Sequence, residues 1–353
     1  MLRLEPRKEP STTLLWTTPI IAVALTVVAG FVLFTILGHD PVASLLAFFV
    51  SPVSTLYGLA ELGVKATPLV LIGLGLAIGF RAGVWNIGAE GQLTLGAIAG
   101  GGVGLLFYNV DSVFALPCML LAGVLGGMAW AAIPAFLKAR LDVNEILVSL
   151  MLTYVATLLL SFLVYGPWKD PEGFNFPQTR TFTTALPIVL EGTRLHIGAL
   201  LALVAVALAW LALSRTLFGF EIKVQGQAAA AARYAGFSRS RLIWVTLLLS
   251  GGLAGLAGVL EVAGPIGQLV PVISPGYGFT AIIVAFLGRL NPVGILLAGL
   301  LVALSYIGGE NAQIEVGLPQ AVTGVFQGLL LFFLLATDVL VRYRVVLGRP
   351  AMA

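Results

Sequence analysis

Blocks of apolar residues alternate along this chain with short polar clusters. The blocks at 16–38, 62–80, 88–108, 114–137, 144–166, 195–214, 241–263, 275–289, 292–308 and 318–341 are ten candidate membrane spans. A crossing helix needs about 20 such residues. The stretch 41–60 is interrupted by Pro41 and Pro52 and reads as an extracytoplasmic or interfacial helix. With the N-terminus inside, Arg81, Lys138, Arg140, the 215–241 loop, Arg289, Arg342, Arg344 and Arg349 all fall on the cytoplasmic side. Asp111, the 167–194 loop, the 264–274 turn, Glu310 and Glu315 fall outside. This asymmetry of Lys and Arg supports both termini inside and an even span count. Eight spans remain open if two of the blocks are re-entrant.

Composition agrees. The 353 residues are 59% hydrophobic and 10% charged, with a mean hydropathy of +1.03. Soluble domains average about 25% charged residues. The net charge of +3 comes from loops and termini, where topology explains it, and does not point to nucleic acid. Arg3, Arg7 and Lys8 precede an apolar run from Trp16 to Leu37 that is long for a signal peptide and lacks a small-residue cleavage site, so it reads as a retained first span. Cys118 is the single cysteine and His39 and His196 are far apart, so neither a disulfide nor a metal site is expected. Phosphate-loop, HExxH, GxSxG and CxxC motifs are absent.

Two polar, helix-breaking stretches interrupt the apolar pattern. The first, RAGVWNIGAEGQ over 81–92, places Asn86, Glu90 and Gln92 among glycines; Asn86 and Glu90 share a face if the segment is helical. It reads either as pathway lining or as a turn with Asn86 as the cap. The second, AGPIGQLVPVISPGYG over 263–278, is broken by three prolines and carries Gln268 and Tyr277. It is a substrate-path element if it is the inverted counterpart of the first, or a proline-rich loop. Glu61 and Lys65 are spaced to pair, and Glu261 and Asp338 lie near span ends within reach of water. The glycines of the third span (Gly96, Gly100, Gly101, Gly102, Gly104) and of the seventh (Gly251, Gly252, Gly255, Gly258) indicate close helix packing. Trp16, Trp85, Trp168 and Trp244 fit interfacial belts. Between spans six and seven, GFEIKVQGQAAAAARYAGFSRSR over 219–241 holds an alanine run, Ala228 to Ala232, bracketed by Gly226 and Gly236. It predicts a short stiff helix on the cytoplasmic face.

The elements GVWNIGAEGQ (83–92) and GFEIKVQGQAAAAARYAGFS (219–238) resemble those of the permeases of bacterial ABC importers for nucleosides and simple sugars, a group that includes ribose and branched-chain amino acid permeases. In the second element Gly219, Gly226, Ala231, Ala232 and Gly236 match the group's pattern and Lys223 stands for its arginine. Ala228 and Ala229 replace a polar residue and a proline. The resemblance implies an all-α polytopic fold of about ten helices, the type II importer fold with inverted halves, as a single permease domain over 1–353. It implies a bacterial inner-membrane location and a second permease as heterodimer partner. It also implies an extracytoplasmic substrate-binding lipoprotein or periplasmic protein, and a separate ABC ATPase that carries ATP and Mg, so that this chain holds no cofactor and catalyses nothing. The coupling helix against that ATPase would use Gly219, Lys223, Gly226, Ala231, Ala232, Arg233 and Gly236. Asn86, Glu90, Gln92, Gln268 and Tyr277 would supply hydrogen bonds and stacking to a neutral polyhydroxylated substrate. The rivals are an ion-coupled secondary transporter and an intramembrane enzyme; neither a carboxylate relay nor a catalytic cluster is seen.

Overall fold

The computed structural model describes residues 2–6, 12–110 and 112–347. Arg7, Lys8, Asp111 and Arg349, which the topology expectation uses, lie outside the described residues, as do the side chains of Arg3, Trp16, Asp338, Arg342 and Arg344. The chain divides into two compact units, one of Met1–Leu59 with Leu304–Ala353 and one of Ala60–Ala303.

The first unit holds α1 (Thr12–Ile36), the short α2 (Pro41–Phe49), a single 3-10 turn at Ser51–Val53, and α13 (Gln320–Arg342). Asp40 starts α2 by accepting the N–H groups of Val42 (2.8 Å) and Ala43 (3.1 Å), which satisfies two of the donors that a helix start leaves open. Phe48 meets Phe326 with ring centres 4.3 Å apart, and Phe34 stacks on Phe326 at 5.6 Å. Gly30 makes room for that ring, since a Cβ there would lie 2.3 Å from Phe326 Cε2. Strand β1 (Leu2–Pro6) pairs antiparallel with β2 (Tyr343–Leu347), Leu2 opposite Leu347 and Pro6 opposite Tyr343. This pair was not expected from the span pattern, because five residues are too few to register in a search for apolar blocks.

The second unit holds most of α3 (Leu56–Arg81), then α4 (Ala89–Leu106), α5 (Ala115–Leu141), α6 (Glu145–Tyr165) and α7 (Gly198–Arg215). There follow α8 (Leu217–Gln227), α9 (Ala229–Tyr234), α10 (Arg239–Glu261), α11 (Tyr277–Leu287) and the first half of α12 (Pro292–Val316). Among the described residues seven helices, α3, α5, α6, α7, α10, α12 and α13, are long and apolar enough to cross a bilayer. All ten blocks hold a helix, and these seven are among them. With 11 residues, α11 rises about 16 Å, roughly half of a hydrocarbon core.

The core of this unit is the contact of α4, α5 and α10, and glycines set its distances. A Cβ on Gly96 would lie 2.2 Å from Gly255 Cα, one on Gly127 2.1 Å from Gly251 O, and one on Gly258 2.0 Å from Leu93 O. The glycine-rich third and seventh blocks are therefore each other's partners. Lipid supplies no hydrophobic drive between helices, so backbone proximity and dispersion must hold them. Gly258→Val would force α10 off α4. We expect a loss of about 1–3 kcal/mol, read as a lowered unfolding temperature in detergent, whereas Gly324→Ala, which meets nothing within 4 Å, leaves it unchanged.

Candidate functional site

The first break is not helical. α3 ends in a left-handed Gly83 (φ +75°), with Val84 N–H donating to Gly79 O (2.9 Å) and Gly83 N–H to Phe80 O (3.2 Å). This paired closure satisfies the last carbonyls of α3. Residues 84–88 then run without helical structure into α4, so Asn86 and Glu90 do not share a helical face. Asn86 is not the cap either; Gly88 is, with its N–H donated to Asn86 Oδ1 (3.1 Å). The Asn86 and Gln92 side-chain amides bond reciprocally, Nδ2 to Oε1 at 2.8 Å and Nε2 to Oδ1 at 3.1 Å. Asn86 Nδ2 also donates to Ser250 Oγ on α10 (2.9 Å). Both amides are 1% exposed, and their bonds lock the non-helical segment onto α4 and α10.

The second break begins as a π turn at Val262–Ile266 and stays irregular until α11 starts at Tyr277. Ser274 Oγ accepts the N–H groups of Gly276 (3.1 Å) and Tyr277 (2.8 Å). The next orphan donor, Gly278 N–H, goes to Glu90 Oε2 at 2.6 Å, and Ser274 is hydrogen-bonded to the same carboxylate. A Cβ on Gly278 would lie 2.3 Å from Glu90 N. The starts of α4 and α11 thus meet backbone to backbone, and the buried Glu90 of the first break caps the helix that follows the second. Phe286 of α11 stacks on Phe80 and Trp85, with ring centres 5.1 and 6.0 Å apart. Trp85 packs against both phenylalanines and stays 40% exposed.

Gln268 lies elsewhere. The second break is zipped to the long loop that precedes α7: Thr179 N–H donates to Leu269 O (3.0 Å), Phe182 N–H to Gly267 O (2.8 Å) and Leu186 N–H to Ala263 O (3.2 Å). Gln268 Nε2 donates to Gln178 Oε1 at 3.1 Å and its oxygen accepts from Thr181. In the same loop Arg194 forms a two-pronged ion pair with Glu61, Nε to Oε1 at 2.8 Å. Glu61 is therefore bound to Arg194, a partner that helical spacing could not reveal. Glu261, expected near water, is buried and faces the charges of Lys65 and Arg194. Burial pushes the His196 imidazole down to about 4, against a smaller upward pull from Glu61. Its Nδ1 accepts Gly198 N–H at 3.1 Å, which requires a deprotonated Nδ1.

The alanine run does not form one helix bracketed by Gly226 and Gly236. Gly219 and Gly226 lie inside α8, a kink falls at Ala228 (φ −150°, ψ 75°), and α9 follows. Gly226 is where α8 touches α3: a Cβ there would lie 1.9 Å from Arg81 O. Gly236 (φ +81°) closes α9, with Phe237 N–H donating to Ala232 O (3.0 Å). Ile222 and Ala232 are buried, whereas Lys223, Ala231 and Arg233 are exposed. Tyr234 is 97% exposed. A relay of charges then leads from the start of α10 back to the first break. Arg239 bonds Asp142 (3.3 Å), Lys138 bonds both Asp142 (3.2 Å) and Glu145 (3.2 Å), and Trp85 N–H donates to Glu145 Oε1 (3.4 Å). The hydrogen bond from Lys138, then the charges of Lys138 and Arg239, hold the Asp142 carboxyl below its usual range. Asp142 is exposed, so the outer pairs add little; Glu145 is buried.

The structure thus gathers Asn86, Glu90, Gln92 and Tyr277 around the start of α4 and sets Gln268 apart. Ser250, Ser274 and Glu145 carry no pattern of their own in the sequence. Only Tyr234, an aromatic residue at the end of a polar alanine helix, left a readable signal.

Residues 58–335 match the family described as the branched-chain amino acid transport system permease component, and the chain belongs to that family. It is 40% identical over 356 residues to the glucose ABC transporter permease protein TsgB13 of Haloferax volcanii, covering 98% of this chain and 93% of that protein. It is 32% identical over 319 residues to the guanosine ABC transporter permease protein NupP of Bacillus subtilis, covering 89% and 91%. With NupQ, a guanosine ABC transporter permease protein of the same organism, identity is 29% over 253 residues, covering 67% and 76%.

Two outcomes follow from the geometry. Asn86→Ala and Gln92→Ala each orphan a buried amide, at about 1–3 kcal/mol; the double variant should cost clearly less than the sum, measured as unfolding free energies in a double-mutant cycle. His196 stays neutral in the folded chain down to about pH 4, whereas the unfolded chain protonates it near pH 6.5. Its contribution is complete above pH 6.5 and is lost as pH falls toward 4, by on the order of 3 kcal/mol. Melting temperature against pH should show that acid limb, and His196→Gln should flatten it.

Proposed function

We propose that this chain is the translocation subunit of an ATP-driven importer of nucleosides or simple sugars, moved by a separate ATPase that grips α8 and α9. The observation that carries the reading is the contact of Gly226 with the last carbonyl of α3. A push on α8 passes without an intervening side chain to the end of α3, and from there into the first break. The break in turn holds the start of α4, and Glu90 holds the start of α11. The exposed Tyr234, Arg233 and Ala231 face outward as the gripping surface, and Lys223 and Gly219 flank it. ATP and Mg belong to the partner and none to this chain.

The substrate class rests on the relatives, whose names give glucose and guanosine. Two permeases named for guanosine in one organism favour a second, different permease beside this one. A binding protein outside the membrane delivers the substrate, and both termini lie in the cytoplasm of a bacterial inner membrane. Asn86, Glu90, Gln92 and Tyr277 form the hinge region of the path, and Gln268 its rim. In the structure described here the Asn86 and Gln92 amides are spent on one another, so substrate contact would require the pair to part.

The test is affinity purification of the tagged chain from native membranes. An ATPase and a second permease should co-purify. Tyr234→Ala, at a site with no packing role, should weaken the ATPase by about tenfold or more and lower substrate-stimulated hydrolysis. Gly226→Leu should abolish it. A chain that purifies alone and moves substrate in liposomes without ATP defeats the proposal, and so does full ATPase stimulation in both variants.

A further inference from the structure

Arg81 ends α3, half-buried, and Lys223 lies in the middle of α8. Both side chains line one cleft of about 670 Å³, together with Leu213, Phe220, Gln227 and Leu290. That volume is in the range of about 300–1,000 Å³ typical of ligand sites. No Asp or Glu lines the cleft. Among the described residues neither cation has a hydrogen bond or an ion pair. Four other cations of this unit pair with carboxylates, Arg194 with Glu61, Lys138 with Glu145, Arg239 with Asp142 and Arg180 with Asp170, whereas the half-buried Arg81 does not. A half-buried guanidinium without a counter-charge is costly. The exposed Lys223 ammonium stands beside it on the same cleft, so the two cations offer an anion a site that no acid of the lining fills.

We propose that this cleft binds the phosphate of an anionic phospholipid headgroup, with Arg81 and Lys223 as its cationic partners and the Gln227 amide as a further donor. Phosphate chemistry fits because guanidinium and ammonium groups donate to its oxygens without competition from an acid. A lipid source fits because the cleft walls are apolar at Leu213, Phe220 and Leu290. The adjoining surface is also apolar, with Leu217, Trp210 and Leu211 exposed, a place for acyl chain beside headgroup. The assignment places the lipid in the cytoplasmic leaflet, where anionic lipids concentrate. It rests on the coupling reading for that side alone. A bound headgroup would wedge α8 against the end of α3, so lipid composition would set how firmly the coupling segment is seated.

The experiment is native mass spectrometry of the isolated full-length chain, released from micelles doped equally with phosphatidylglycerol and phosphatidylcholine. We expect one phosphatidylglycerol to be retained in preference. Arg81→Gln and Lys223→Gln should each weaken it by about fivefold, and Arg140→Gln, remote from the cation pair, should not. Equal retention of the two lipids overturns the proposal, as does undiminished retention in Arg81→Gln. Displacement of phosphatidylglycerol by millimolar inorganic phosphate overturns the lipid source in favour of a soluble anion. No ATPase is present in the measurement, so its failure is separate from failure of the co-purification test.

Discussion

A half-length helix inside a membrane protein presents backbone N–H groups that lipid cannot satisfy, and each unsatisfied one is expensive. Here the bond from Gly278 N–H to the Glu90 carboxylate, with Ser274 taking the two preceding donors, resolves that problem for α11. The rest of the second unit is consistent with this bond. Glu90 must stand at the first turn of α4, so the chain before it must leave the helix, and the Asn86–Gln92–Ser250 bonds pin it there. Gly278 must lack a side chain, or the two helix starts could not approach. An acidic side chain also suits the electropositive end of a helix. The two breaks in the apolar pattern are therefore one device shared between two helices.

The second constraint is distance. Where helix axes approach until backbone touches backbone, as at Gly96–Gly255, Gly258–Leu93 and Gly226–Arg81, motion of one helix is imposed directly on its neighbour. Side chains that could reorient and absorb the displacement are absent from these points. The same small residues that hold the bundle without hydrophobic drive also make it stiff, which suits a chain driven from outside itself.

Much of this was legible in the sequence. Span positions follow from apolar length alone, and every block holds a helix, because burial in lipid tolerates little else. Glycine clustering announced tight packing, though not that the third and seventh blocks pack on each other. The site was legible in composition and illegible in pairing. Asn86, Glu90 and Gln92 stood out as polar residues between apolar blocks, yet their partners Ser250 and Gly278 are more than 150 positions away and carry no signature. Glu61 shows the same limit, since spacing offered Lys65 while the fold supplied Arg194. The kink at Ala228 escaped because five successive alanines read as unbroken helix; the close approach of Gly226 to Arg81, a tertiary fact, fixes where α8 ends.

The three backbone hydrogen bonds that join residues 179–186 to 263–269 bear on how the second break can rearrange. Backbone hydrogen bonds at Thr179, Phe182 and Leu186 define a register, and a register cannot slide by a fraction of a residue. Any displacement of the break must either carry the long loop along as one body or part these bonds altogether. Intermediate positions would leave donors and acceptors facing nothing. Hydrogen bonds of this kind favour concerted release over gradual slip.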